Sequence, residues 1–263
     1  IKRNIQSLVD ESSGKPYKHR VTDPTKTGRH KATESRDPAN GLALYNWTGS
    51  GASWHAECQD CHNPHTGGNA GRVVGLNTVA TASSLYGAGG ASVAGSYPGG
   101  VVKTANYTYI EPIGLLRTSG GNLGVTYEYE ICFKCHTDFA WGTTPPNSPS
   151  LGQSMTNQAV EFNPSNPSRH PVVQATSRTE GTLRYPWTTN QSIQTMYCSD
   201  CHTREENTAP MGPHGSTYPF ILTYQFSDTL GTASGTSQNS TDLCLWCHES
   251  NTYLNPSLTE TSN

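Results

Sequence analysis

Residues 53–65 read SWHAECQDCHNPH. Cys58 and Cys61 enclose two residues, and His62 follows the second cysteine at once. The pattern C-x-x-C-H returns at Cys132, Cys135 and His136, at Cys198, Cys201 and His202, and at Cys244, Cys247 and His248. These four pairs use all 8 cysteines of the 263-residue chain.

C-x-x-C-H is the attachment signature of c-type haem. Two thiols at this spacing can each add to one vinyl group of a single porphyrin, and the adjoining imidazole reaches the iron from one face. Paired cysteines also build Cys₄ zinc sites, redox dithiols and disulfides. None of those calls for a histidine after every pair, and the chain holds only 10 His in 263 residues. The expectation is four covalently bound haem c groups, with His62, His136, His202 and His248 as the first axial ligands of their irons.

The composition suits this reading. Residues of the AVILMFWYC set make up 33% of the chain, and Gly and Pro number 26 and 17. On the scale that counts Gly rather than Tyr, the apolar share is about 38%, against about 45–50% for soluble domains. Such a chain builds a thin core, and four large apolar groups tied in by covalent bonds would supplement it. A net charge of −3 and the lack of a basic run give no sign of nucleic-acid binding. No window approaches the roughly 18 apolar residues of a membrane span. The chain begins with Ile, which reads as a processed product whose leader has been removed.

The occupant of the second axial position separates electron transfer from catalysis. Six histidines remain for it: His19, His30, His55, His65, His170 and His214. The methionines number 3 (Met155, Met196 and Met211) and read better as packing residues. An internal repeat selects among the histidines. His30 and His170 each precede a haem motif by 28 residues, each after Arg, and both motifs read C-x-D-C-H. A Pro-His follows each, at His65 and His214. The repeat therefore points to His30, His65, His170 and His214, leaving His19 and His55 in reserve. His65 lies too near His62 to reach the far side of the same haem, so it should serve another. The copies differ in the interval to their second motif, and the extra length of the first falls at LYGAGGASVAGSYPGG, residues 85–100, which reads as a low-complexity loop with poor core potential.

With its four C-x-x-C-H motifs, the RH elements at His30 and His170, and the segments CHNPH and GPHG, residues 19–248 resemble extracellular tetrahaem cytochromes that polymerise into filaments, the OmcE-type cytochrome nanowire family. The resemblance implies bis-histidine haems in a continuous stack, and identical subunits in a helical filament that conducts electrons outside the cell. It also implies that one haem per subunit takes its second histidine from a neighbour. Carried through the repeat, His30 would be that ligand, donated in trans to the His248 haem, with His19 the next candidate in the N-terminal arm, residues 1–30. If instead His170 serves its own His202 haem, His30 serves the His62 haem in cis. Both remain open.

The expected fold is mostly irregular, with short α-helices carrying the motifs and a few short β-strands, a haem-stapled multihaem cytochrome c fold built from two dihaem halves, residues 30–136 and 170–248, within one unit over 1–263. The Tyr-rich stretches NYTYIEP (106–112) and VTYEYEI (125–131) read as short strands. Attachment of haem to this motif implies export, and four sequons at Asn46, Asn106, Asn190 and Asn239 would suit a glycosylated surface protein. The function expected is electron transfer, with redox donor and acceptor left open. The alternatives are a monomeric carrier, and a reductase with one five-coordinate haem.

Overall fold

The computed structural model describes residues 14–19, 58–93, 107–114, 124–141, 154–176, 192–205, 211–226 and 242–249, together with 9, 21, 56, 145, 183–184 and 186–188. His30, His55 and the four sequon asparagines lie outside the described residues. The described chain is mostly irregular, with short helices and strands, compatible with a multihaem cytochrome c fold. The strands are β1 (Tyr17–Lys18), β2 (Gly90–Val93), β3 (Tyr107–Ile110) and β4 (Gly215–Ser216). The α-helices are α1 (Cys58–Cys61), α2 (Glu128–Phe133), α3 (Asp138–Trp141), α4 (Gln158–Glu161) and α5 (Cys244–Cys247), with 3₁₀ turns at Cys198–Asp200 and Pro219–Ile221. The chain divides into two units: Arg20–Gln174 with Thr195–Cys198, and Ile1–His19 with Ala175–Gln194 and Ser199–Asn263.

The larger unit is built on the antiparallel hairpin β2–β3, in register from Gly90 opposite Ile110 to Val93 opposite Tyr107. Helix α2, which carries Cys132, packs on this hairpin. Ala88, Val125 and Ile131 form the buried cluster, with Leu85, Val79, Ile110 and Cys61 against it. Ile131 is 4% exposed, and burial on this scale stabilises by about 1.5–3 kcal/mol for such a side chain.

Two expectations fail here. Of the stretch at 85–100, residues 94–100 lie outside the described residues, and 85–93 are not an idle loop: residues 90–93 form β2, and Ala88 and Ala91 are 1% and 0% exposed. Its small residues admit close neighbours. A Cβ on Gly90 would lie 2.5 Å from Val125 Cγ1 and 2.7 Å from the Glu130 carbonyl oxygen. Bulk is excluded because the helix sits directly on the strand. Likewise 106–112 contains strand β3, but 125–131 runs into helix α2. Glu130 is the cause: its carboxylate accepts the N–H groups of Thr126 at 2.8 Å and Tyr127 at 2.9 Å. These are donors a helix N-terminus leaves open. Tyr129 then packs on Phe133 along the helix, ring centroids 5.1 Å apart.

Residues 195–198 are bound into this unit by hydrogen bonds from both backbone and side chain. The Thr195 N–H donates to Gly75 O (2.9 Å), the Met196 N–H to Pro171 O (3.1 Å), and the Tyr197 hydroxyl to Thr78 O (2.7 Å).

In the smaller unit β1 and β4 form a two-residue antiparallel ribbon, Tyr17 opposite Ser216 and Lys18 opposite Gly215. Glu205 binds both sides of it, pairing with the Lys15 ammonium and accepting the Thr217 N–H at 3.4 Å. Helix α5 is anchored by Arg184, whose N–H donates to Cys247 O at 2.8 Å and whose guanidinium donates to Leu245 O at 2.8 Å. The Cys244 N–H donates to the Asp242 carboxylate at 2.9 Å, which starts the turn.

Candidate haem-attachment sites

Three of the motifs close the same ring. The histidine N–H donates to the carbonyl of the first cysteine, at 2.9 Å for His62 and Cys58, 2.8 Å for His136 and Cys132, and 3.0 Å for His248 and Cys244. One helical turn results. Positions i, i+3 and i+4 of a turn share a face, so both cysteines and the histidine are presented together. The third motif instead starts on the 3₁₀ turn Cys198–Asp200, with Cys201 just after it.

None of the eight cysteines is paired in a disulfide. In the larger unit the first and second motifs interlock through the residues between their cysteines. The Lys134 ammonium donates to Asp60 O at 2.5 Å and lies 3.9 Å from the Asp60 carboxylate. Both side chains are buried. The Cys61 thiol is pushed up to about 12, by burial first, with Lys134 opposing and Cys132 and Asp60 adding to the rise. Cys135 is pushed up to about 12 by burial, in a neighbourhood that includes Cys61 and Cys132. The Cys132 thiol rises well above its ordinary value, through its hydrogen bond to the Cys198 thiol and then through burial. The second motif therefore touches the first cysteine of the third. In the smaller unit the Cys247 thiol is pushed up to about 12, by burial and then by Cys201 and Asp200. Cys201 and Asp200 are thus within electrostatic reach of Cys247.

The imidazoles are oriented from behind. His62 Nδ1 bonds Ser84 O at 2.8 Å, and His202 Nδ1 bonds Phe220 O at 2.8 Å. A metal-bound histidine typically commits its other nitrogen to a carbonyl in this way, which fixes ring and tautomer. Phe220 and Ile221 stand at φ of 60° and 58°, a left-handed conformation that is costly for side chains of this kind. Strain of about 1–3 kcal/mol for such residues gathers where structure over-determines it, and here it aims the Phe220 carbonyl at His202. Burial lowers the affinity of His202 for a proton, with the Phe220 carbonyl opposing. A neutral ring is the form that binds a metal.

The residues fit a c-type haem. In three of the motifs the thiol pair and the imidazole share a single turn, and His62 and His202 each have Nδ1 committed to a carbonyl. Large apolar side chains also stay exposed beside the third and fourth motifs, Phe220 at 54% and Trp246 at 42%. Of the expected second ligands, His65 and His170 are exposed in the larger unit, where the His65 N–H is held by Asn63 Oδ1 at 2.9 Å. His214 lies in the smaller unit and so does the reserve ligand His19, whose Nδ1 bonds Pro213 O at 2.7 Å. The links between motifs made by Lys134 and Asp60 were not foreseen; the aspartate shared by CQDCH and CSDCH was the signal available for them.

Among known proteins, a model of the family described as doubled CXXCH motif matches residues 190–253, which span the third and fourth motifs. No curated protein and no solved structure is matched by the chain. The doubled motif indicates a multihaem c-type cytochrome with covalently bound haem c. Such cytochromes are generally electron-transfer proteins, though some are reductases.

Proposed function

We propose that the chain carries four bis-histidine haem c groups and passes electrons along them, as a subunit of an extracellular filament. The observation behind it is the fourfold C-x-x-C-H pattern, whose first and second motifs interlock in the larger unit through Lys134 and Asp60. Haem, when bound, supplies an iron that alternates between ferric and ferrous states. The chain's own part is to fix position, ligands and surroundings. Each cysteine pair anchors one group. His62, His136, His202 and His248 supply one axial ligand apiece, and the remaining histidines, His30, His65, His170 and His214 foremost, supply the second. Ten histidines for eight axial positions leave no need for an open iron, which favours electron transfer over a reductase.

Export to the cell surface and assembly with identical subunits follow from the resemblance to filament-forming tetrahaem cytochromes. The N-terminal arm, through His30, is the donor of a ligand to a neighbouring subunit. Among the described residues no helix is long and apolar enough to cross a membrane. Electron microscopy of the purified protein tests assembly. Filaments are expected from the wild type, and monomers with every haem attached from His30→Ala. Monomers from the wild type would favour a carrier, and filaments from the variant would remove His30 as the donor.

A further inference from the structure

We propose that Lys134 and Asp60, a buried charge pair shared by the first two motifs, set the reduction potentials of the two haems those motifs hold. The role rests on the four-haem reading above and names the side chains that tune two of the irons. Asp60 directly precedes Cys61 in CQDCH, and Lys134 directly precedes Cys135 in CFKCH. Each charge therefore stands inside a cysteine pair that anchors one haem. The fourth motif, CLWCH, has Trp246 where the second has Lys134, so this cation belongs to the first half of the repeat alone.

The geometry joins both anchors to one pair. The Lys134 ammonium donates to Asp60 O at 2.5 Å and lies 3.9 Å from the Asp60 carboxylate, across 74 residues of chain. Lys134 is 4% exposed and Asp60 9%. Cys61 also packs against the cluster that contains Ile131, the residue before Cys132. The two motifs therefore meet in the apolar core as well as through the pair. The thiols feel both charges. After burial, which dominates, Lys134 and Asp60 act on Cys61 and on Cys135 alike, in opposite senses. Glu128 adds a smaller negative influence at Cys61.

The effect follows from where the charges lie. Reduction of a ferric haem adds one electron and leaves less positive charge at the iron. A fixed cation nearby favours the ferrous state, and a fixed anion favours the ferric. In water a charge acts through a dielectric constant of about 80, but within a protein the effective value is nearer about 20. Added salt screens a buried pair much less than an exposed one. Burying an ion is costly unless it is paired, so each partner keeps the other charged. Neither residue exchanges an electron or a proton in the step; together they bias the balance between the two oxidation states.

The test uses the full-length protein with its haems attached, titrated with dithionite at controlled potential and followed in its visible spectrum. Asp60→Asn leaves the Lys134 charge without its counter-charge. It is expected to raise two of the one-electron waves, each by about tenfold in the reduction constant, or about 59 mV. Adding Lys134→Met to Asp60→Asn removes the cation too, and should bring the same two waves down again by a similar factor. Lys134→Met by itself should lower them below wild type. A merely structural role would move waves without regard to the sign of the charge removed. Should Lys134→Met alone lose its haems, the comparison of Asp60→Asn with the double variant still isolates the cation. Unmoved waves in Asp60→Asn, or a further rise on adding Lys134→Met, would overturn the role. A wild type whose first two motifs carry no haem, by mass spectrometry of its peptides, would instead overturn the reading beneath it.

Discussion

Gly90 stands where helix α2, with Cys132 on it, meets the hairpin. A side chain there has no room, since its Cβ would approach Val125 Cγ1 to 2.5 Å and the backbone of Glu130 to 2.7 Å. Gly90→Val is expected to destabilise by about 1–3 kcal/mol, the usual penalty of overpacking. Gly71 meets nothing within 4 Å of its Cβ position, so Gly71→Ala should leave the denaturation midpoint nearly unchanged. Chemical denaturation of both variants checks the contrast, and equal midpoints would contradict it. This pair of glycines also shows what sequence reading could reach. Both sit in Gly-rich runs, and composition alone does not separate them. Only the facing partner, brought from residues 125–130, separates a close-packing glycine from an idle one. The cysteines and their histidines were legible because their chemistry depends on local spacing. Lys134 and Asp60 were not, because their pairing joins motifs 74 residues apart.

At the scale of elements, the β1–β4 ribbon is too short to stand by its own ladder, and Glu205 braces it from both sides through Lys15 and Thr217. Burial works most strongly against the Glu205 charge, but the bonds from Lys15, its own backbone and Thr217, with the Lys15 charge, together outweigh it, and the carboxyl is held below its ordinary value. The sign follows: a depressed acid stabilises the fold above its unfolded value near 4.5, and that contribution is lost as pH falls through the folded value. The Lys15 and Glu205 side chains are 20% and 15% exposed, so solvent screens the pair. Glu205→Gln should therefore cost about 0.2–1 kcal/mol at neutral pH. The difference from wild type should vanish in acid. Unfolding curves at both pH values measure it, and a gap that persists in acid would contradict the assigned cause. Elements were also where alternation misled. TYEYE reads as a strand by its period, yet Glu130 caps a helix and the motif that follows continues the turn.

At the scale of the molecule, motif count and fold class were readable from sequence because covalent attachment needs no long-range information. The pairing of second ligands was not readable, since an imidazole can come from any distance along the chain. His19 shows this: the repeat passes over it, while the fold bonds its Nδ1 to Pro213 O, 194 residues away and next to His214. The account as a whole stands on four haems per chain, each with two histidines. The most direct measurement joins pyridine haemochrome content to the electron paramagnetic resonance and near-infrared magnetic circular dichroism of the oxidised wild type. The account predicts four haem c groups per chain, one for each C-x-x-C-H motif, all low-spin and bis-histidine. Fewer than four haems, or a high-spin iron with an open position in the assembled protein, would contradict it.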